Sequence, residues 1–138
     1  MIQMKNVYKK YPNGVVATNG ISVDIKQGEF VYVVGPSGAG KSTFIKLMYR
    51  EEKATSGEVI VNGINLTTIR NNAVPKFRRQ LGVVFQDFKL LPRLTVYENV
   101  AFALEVIEES PKIIRKRVMD VLELVGLSHK ARMFPNEL

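Results

Sequence analysis

The sequence predicts an α/β fold with a β-rich start, a central glycine-rich loop and a helical end. Three observations support this class. Apolar and polar residues alternate near the start, the stretch Gly35–Thr43 reads Gly-Pro-Ser-Gly-Ala-Gly-Lys-Ser-Thr, and apolar residues recur at helical spacing after Thr95. With 138 residues, of which 46% are hydrophobic, the chain is long enough to bury the core of one α/β domain.

Residues 2–34 are predicted to form strands. Alternation indicates two of them, in Ile2–Val7 and Ile21–Ile25, and the turn signals Pro-Asn-Gly at 12–14 and Gln-Gly at 27–28 follow them. The apolar run Phe30–Val34 is too short for a helix and is expected to be a buried strand. Antiparallel β-structure is therefore expected before the loop.

The loop Gly35–Thr43 fits the phosphate-loop pattern G-x-x-x-x-G-K-[ST] at every fixed position. Its three glycines allow backbone N–H groups to approach phosphate oxygens closely. Lys41 would supply charge for the β- and γ-phosphates, Ser42 a hydroxyl ligand for Mg²⁺, and Thr43 a bond to the α-phosphate. The residues predicted to bind the nucleotide here are Gly35, Pro36, Ser37, Gly38, Ala39, Gly40, Lys41, Ser42 and Thr43.

A helix is predicted after the loop, because apolar residues recur at helical spacing in Phe44–Met48. Starting near Lys41, it would direct its positive N-terminal end at the phosphates. Further strands are predicted at Gly57–Val61, followed by an Asn-Gly turn at 62–63, and at Leu81–Phe85.

Two more helices are predicted towards the end of the chain. Thr95 and Glu98 have the spacing of a capping box and precede an apolar helical face. Ser110 is expected to cap the second helix, Pro111 to occupy its first position and Gly126 to end it. We expect the two helices to pack together as a helical unit.

Composition limits the possible partners. The net charge of +7 favours anionic partners, but the basic cluster at 112–117 lies on a helix with an apolar opposite face and is interpreted as solvated. No aromatic residues interleave with it, so no nucleic-acid partner is expected. There is no cysteine, which fits a reducing compartment. No run approaches the roughly 20 apolar residues of a membrane span, so any membrane link would come through a partner.

Taken in order, these features resemble the N-terminal part of an ABC-transporter ATPase. The resemblance is carried by Tyr11, the phosphate loop, the run Gly82–Gln86 and the helical unit starting at Thr95, and it covers the whole chain. It implies a P-loop NTPase fold with an antiparallel β-sheet at the start, a partial RecA-like parallel sheet and the beginning of a helical subdomain.

The resemblance also assigns domains and site residues. It implies that residues 1–88 are the N-terminal part of the ATPase core and that residues 89–138 begin the helical subdomain. Tyr11 corresponds to the aromatic residue that stacks on adenine, with core packing as its alternative role. Gln86 corresponds to the Q-loop glutamine, which with Ser42 would help to hold Mg²⁺ and the attacking water.

Within the family, the resemblance is greatest to the ATPases of bacterial cell division. ATPases of lipoprotein release, methionine import and macrolide export share much of the pattern and stay open as alternatives. The segments that carry the closer resemblance are Lys46–Glu51, Val83–Pro92, Thr95–Leu104 and Phe134–Leu138.

The cell-division resemblance implies specific partners. The first is a second ATPase subunit, and the two subunits would enclose two ATP molecules between them. The second is an integral membrane protein (FtsX-like) that controls peptidoglycan hydrolases. The ATPase would lie at the cytoplasmic side of the plasma membrane, held there by that protein. The residues expected to contact the membrane partner, with core packing as their alternative role, are Phe88, Leu90, Leu91 and Tyr97.

The family pattern is incomplete in this chain. The signature motif, the Walker B aspartate, the catalytic glutamate and the switch histidine are expected after Leu138, in an ATPase of roughly 230 residues. The chain alone is therefore expected to be inactive, with Lys41 and Gln86 as assisting residues only. Its single histidine, His129, precedes the Walker B position and is interpreted as a surface or packing residue.

Two other classes of protein remain as alternatives, a small P-loop NTPase of another kind and a module without catalytic activity. In a small P-loop kinase, Asp87 would organise Mg²⁺, but Gln86 interrupts the apolar run before it and much β-structure precedes the loop. A GTPase is disfavoured because no Asn-Lys-x-Asp element is present. The second class is a nucleotide-binding or assembly module without chemistry of its own, since no catalytic base is visible.

Overall fold

A four-stranded antiparallel sheet forms the first part of the protein, in a computed structural model that describes every residue from Met1 to Leu138. The strands are β1 (Ile2–Lys10), β2 (Val16–Ile25), β3 (Ser56–Val61) and β4 (Ile64–Asn65), in the spatial order β2-β1-β3-β4. The long strands pair with Ile2 opposite Ile25 and Met4 opposite Val23. The strands predicted from alternation are thus confirmed.

The predicted turn at 62–63 is also confirmed. Asn62 and Gly63 join β3 to β4, and both have positive φ, at 49° and 78°. Two central residues of positive φ match the twist of flanking antiparallel strands, which is why Asn-Gly is favoured in short hairpins.

Helix α1 (Lys41–Met48) follows the phosphate loop as predicted, and a short helix α2 (Val74–Arg78) comes after a 3₁₀ turn at Asn71–Ala73. The apolar side of α1 packs on β1 and β3, so burial of this side secures the helix to the sheet. The buried core consists of Met4, Val7, Phe44, Leu47, Val59, Val61, Leu66 and Phe77.

Two strand predictions are wrong for this chain. Neither Phe30–Val34 nor Leu81–Phe85 joins a sheet, and no parallel strand pair forms. Phe30, Val34 and Val84 are 80%, 85% and 96% exposed. A strand exists only through hydrogen bonds to a neighbouring strand, and the four paired strands all belong to the antiparallel sheet. Both runs therefore have strong β-propensity but no neighbouring strand with which they could pair.

The chain divides into two compact units, Met1–Val83 and Val84–Leu138. The second contains α3 (Val96–Glu105), α4 (Pro111–Leu124) and 3₁₀ turns at Ser128–Lys130 and Pro135–Glu137. None of the helices in either unit is both long and apolar enough to cross a membrane. The core of the second unit consists of Val96, Ala101, Ile114, Val118 and Leu122.

The ends of these two helices follow the predicted signals. The Glu98 N–H donates to Thr95 Oγ1 and the Thr95 N–H donates to Glu98 Oε2 (2.7 Å), which is a complete capping box. Ser110 occupies the N-cap of α4 without a side-chain bond. Gly126, with φ of 73°, ends α4, and the next N–H, of Leu127, donates to the Leu122 carbonyl (2.7 Å).

Candidate nucleotide-binding site

The phosphate loop lies against strand β2. Gly38 and Gly40 have φ of 79° and 84°, a conformation that L-residues with a Cβ rarely adopt. A Cβ on Gly40 would stand 2.0 Å from the Ala17 carbonyl oxygen, a severe clash with backbone. Glycine at position 40 therefore serves two purposes, since it permits the turn into α1 and the close approach to β2.

The N-terminus of α1 faces the loop with free hydrogen-bonding capacity. No side chain caps this end and no acidic residue lies in the first turn. The first backbone bond of the helix is from Phe44 N–H to the Gly40 carbonyl (2.8 Å). The N–H groups of Lys41, Ser42 and Thr43 therefore remain for an anion, which the helix dipole also favours.

The Lys41 ammonium group bridges the start of the loop. Its Nζ donates to the carbonyl oxygens of Gly35 (2.8 Å) and Pro36 (2.7 Å). An ammonium group has three N–H donors, so one remains for a phosphate oxygen. The geometry thus places a positive charge within the loop itself, between its first residues and the start of α1.

Tyr11 reaches the phosphate-loop helix. Its hydroxyl oxygen lies 3.1 Å from Oγ1 of Thr43, which is only 8% exposed. The Tyr11 ring is half-buried and stands outside the buried core, with the Lys9 ammonium 4.9 Å from its centroid. The structure therefore brings Tyr11 and the loop together, while its role in adenine stacking stays a prediction.

A cavity of about 400 Å³ beside the loop has a mostly apolar wall. Val23, Val31, Val33 and Phe44 contribute to this wall, together with Lys41. Apolar side chains cannot solvate a triphosphate, so the chemistry of the site favours the N–H groups of α1 as the phosphate position. The cavity is instead the uncovered side of the run Phe30–Val34.

The two predicted Mg²⁺ ligands lie in different units. Ser42 is exposed in the first turn of α1, and Gln86 is exposed in a turn of the second unit closed by the Phe88 N–H and the Phe85 carbonyl (3.1 Å). No group of three or more His, Cys, Asp or Glu could hold a metal. Mg²⁺ commonly takes one or two protein oxygens together with phosphate oxygens, which the Ser42 hydroxyl fits. Both ligand assignments remain predictions.

The predicted partner-contact residues differ in their surroundings. Phe88, Leu90 and Leu91 are 74%, 49% and 38% exposed, so they are not part of the core of the second unit. Tyr97 is half-buried and packs against that core, and its N–H donates to the Ala131 carbonyl (2.9 Å). Three apolar side chains in a short segment are thus available for contact.

Asn99 is a structural residue that the sequence analysis missed. Its Oδ1 accepts from the Leu91 N–H (2.8 Å), and its Nδ2 donates to the carbonyls of Leu91 (3.1 Å), Leu94 (3.0 Å) and Thr95 (3.0 Å). It therefore fixes the segment that leads into α3. The sequence signal for this role is an asparagine in the first turns of a predicted helix, because an asparagine side chain readily forms hydrogen bonds with nearby backbone groups.

Arg78 was missed as well. From helix α2 its Nε donates to the Tyr49 carbonyl and its Nη2 to the Arg50 carbonyl, both at 2.9 Å. Because these carbonyls follow the last turn of α1, the Arg78 side chain secures the end of the phosphate-loop helix opposite to the site.

The sequence is similar to those of known proteins over its whole length. A family profile described as "ABC transporter" matches residues 18–138. Cell division ATP-binding protein FtsE of Bacillus subtilis (strain 168) is 68% identical over the whole chain, and that of Streptococcus pneumoniae (strain R6) is 59% identical. Methionine import ATP-binding protein MetN of Helicobacter pylori (strain J99) is 44% identical over the whole chain, which covers 42% of its length.

A solved structure agrees with these relatives. The dimeric post-hydrolysis state of the ATP-binding cassette MJ0796, bound to ADP and Pi, matches with a TM-score of 0.90 and 37% identity, over 100% of this chain and 63% of that one. The chain spans about 60% of the length of the FtsE relatives.

Proposed function

The chain belongs to the ABC transporter family of ATPases, and on that premise we propose that it is the ATP-binding part of an ABC ATPase acting in bacterial cell division. The observation that carries the proposal is the joint placement of the Lys41 ammonium group and the uncapped N-terminus of α1. An ammonium group and several free N–H groups converging on one place form a site for phosphate. The FtsE relatives, identical at 68% and 59% of positions, support the cell-division branch.

Each phosphate has a proposed contact. The N–H groups of the loop and the third donor of Lys41 hold the β- and γ-phosphates, and they stabilise the charge that develops during hydrolysis. Thr43 contacts the α-phosphate, and Tyr11 stacks on adenine. Mg²⁺ held by Ser42 and phosphate oxygens would neutralise charge on the triphosphate.

Hydrolysis requires groups outside these 138 residues. Gln86 would orient the attacking water, and the catalytic glutamate of the family has no counterpart in this stretch. By analogy with the dimeric cassette bound to ADP and Pi, we propose that two subunits enclose ATP between them. Closure would then be driven by contacts that the nucleotide makes only in the dimer.

The proposed membrane partner is FtsX-like and docks on three exposed apolar residues and one half-buried tyrosine of the second unit. Through that partner the ATPase would lie at the cytoplasmic side of the plasma membrane and regulate peptidoglycan hydrolases. Exposed apolar side chains in a cluster are typical of interaction surfaces. The residues proposed to make this contact are Phe88, Leu90, Leu91 and Tyr97.

Methionine import is the second candidate function. The 44% identity to MetN extends over the whole chain, so the ATP site alone does not separate the two. A non-catalytic assembly module and a small kinase are two further candidate classes. A measurement of ATP hydrolysis distinguishes them from the cell-division and methionine-import ATPases.

The experiment is to extend the 138 residues by the remaining part of the family's ATPase domain, which carries the other groups needed for hydrolysis. This longer protein is reconstituted with an FtsX-type or with a methionine-permease membrane protein, and ATP hydrolysis is measured. We expect hydrolysis stimulated by the FtsX-type partner only. Stimulation of hydrolysis by the permease would indicate a function in methionine import instead. Transfer of phosphate to a small acceptor would indicate a kinase, and absence of hydrolysis with either partner would favour an assembly module.

A further inference from the structure

We propose that Lys9, paired with Glu52, is a positioning residue that holds the Tyr11 ring ready for the nucleotide base. The inference rests on the proposed function, because it assigns the base-binding part of the same ATP site. It concerns binding of the adenine end, whereas the phosphate loop determines binding of the triphosphate.

Two contacts fix the Tyr11 side chain. The hydroxyl group is held at its far end by Thr43, at 3.1 Å, and one ring face is covered by the Lys9 ammonium, 4.9 Å from the centroid. Lys9 lies near the end of β1 and Tyr11 directly follows that strand, so the ammonium group and the ring meet where the strand ends. One face of the half-buried ring is therefore occupied by Lys9, and the base would stack on the opposite face.

Lys9 is itself held in place. Its Nζ lies 2.7 Å from Glu52 Oε2, and the two side chains are only 13% and 26% exposed. An ion pair shielded from water in this way is screened less than a surface pair. The ammonium group therefore has a fixed position over the ring.

The backbone around this pair is also fixed. The Thr55 N–H donates to the Tyr8 carbonyl (2.7 Å), and the Lys10 N–H donates to Thr55 Oγ1 (2.9 Å). These bonds join the end of β1 to the segment that carries Glu52. The ring, the ammonium group and the carboxylate thus belong to one rigid arrangement, and a ring ordered before binding costs less entropy when a base stacks on it.

The chain offers a matched control on the same strand. Lys5 and Glu58 also form an ion pair between β1 and the neighbouring segment, but their atoms are 3.7 Å apart and their side chains 62% and 51% exposed. No aromatic ring lies beneath the Lys5 ammonium group. Replacing Lys5 therefore removes the same charge without affecting Tyr11.

The experiment measures dissociation constants of the purified protein for Mg-ATP and for inorganic tripolyphosphate, which lacks the base. We expect Lys9→Met to weaken ATP binding about 3- to 10-fold, the effect of one cation–π contact, and to leave tripolyphosphate binding unchanged. Lys9→Arg should restore ATP affinity, because a guanidinium group also pairs with Glu52 and covers a ring. Lys5→Met should alter neither constant.

Several results would overturn the inference. One is an unchanged ATP affinity in Lys9→Met. Another is an equal loss of affinity for ATP and for tripolyphosphate, which would show a general charge effect. If Lys9→Met does not fold, Glu52→Gln takes its place: it should weaken ATP binding alone, and unchanged affinity would overturn the proposal. If the unsubstituted protein binds neither ligand, it is the proposed function that fails.

Discussion

Gly40 and Ala17 are in direct backbone contact: a Cβ on Gly40 would lie 2.0 Å from the Ala17 carbonyl oxygen. This contact joins the phosphate loop to strand β2. The position of the loop therefore depends on the antiparallel sheet as well as on the helix that follows. It also explains why the residue before Lys41 must have no side chain.

Replacing Gly40 by alanine tests this contact, with Gly28→Ala as the matched control. The two glycines have nearly equal φ, 84° and 85°, but nothing lies within 4 Å of a Cβ on Gly28. We expect Gly28→Ala to cost about 1 kcal/mol from backbone strain and Gly40→Ala about 1–3 kcal/mol more from the clash. Urea unfolding measures both, and equal losses would show that the contact with Ala17 has no energetic importance.

Asn99→Ala should destabilise the second unit by about 1–3 kcal/mol, because it leaves backbone groups of the segment 91–95 without partners. Asn99→Asp should retain the bond from the Leu91 N–H and lose the three bonds donated by Nδ2. Thermal unfolding and hydrogen exchange of the Leu91 N–H report the effect. Asn136→Ala, at an exposed position, is the control, and a similar loss in both variants would contradict the proposed role of Asn99.

The capping box should make stability depend on pH. Hydrogen bonds from the Thr95 N–H and hydroxyl hold the pKa of Glu98 below its ordinary value of 4.5. A carboxylate with a lowered folded-state pKa stabilises the fold above the unfolded-state pKa, and this contribution is lost as pH falls through the folded-state value. Urea midpoints should therefore fall less below about pH 4.5 in Glu98→Gln than in the unsubstituted protein. Glu105→Gln, later on α3, should behave like the unsubstituted protein. If Glu98→Gln lost as much stability in acid as the unsubstituted protein, this account would be contradicted.

The unpaired apolar runs should make the 138-residue chain self-associate. Val34 and Val84 are 85% and 96% exposed, and strands without neighbours readily pair with other chains. We expect Val34→Thr and Val84→Thr together to reduce the associated fraction in size-exclusion chromatography without lowering stability. Val61→Thr, at a core position that is 2% exposed, should lower stability instead. A compact, cooperatively melting monomer of the unsubstituted chain would contradict this prediction.

Local signals in the sequence were sufficient for much of the fold. Alternation located β1 and β2, the strand signal before the Asn-Gly turn located β3, and the capping residues located the ends of the later helices. All of these features depend on residues close together in the chain. The same holds for the phosphate loop, whose pattern lies in eight consecutive residues, from 35 to 42.

Features that depend on distant partners could not be predicted in this way. Phe30–Val34 has the composition of a strand, but composition does not supply the neighbouring strand that would pair with it. The four bonds of Asn99 depend on the path of a loop that sequence does not reveal. The ring contact of Tyr11 with Lys9 could not be predicted from alternation either, because the register of β1 is irregular around Lys9 and Tyr11 lies after the end of the strand.

The most direct test of the central claim is the affinity of the purified protein for Mg-ATP after replacing Lys41 by alanine, with Lys46→Ala as the control on the same helix. Lys46 is paired with Glu51 at 2.9 Å in the last turn of α1, away from the loop. We predict that Lys41→Ala weakens ATP binding about 10- to 100-fold, the value of a charged hydrogen bond to phosphate, and that Lys46→Ala leaves it unchanged. Equal ATP affinity in Lys41→Ala and the unsubstituted protein would contradict the claim that this loop binds the triphosphate.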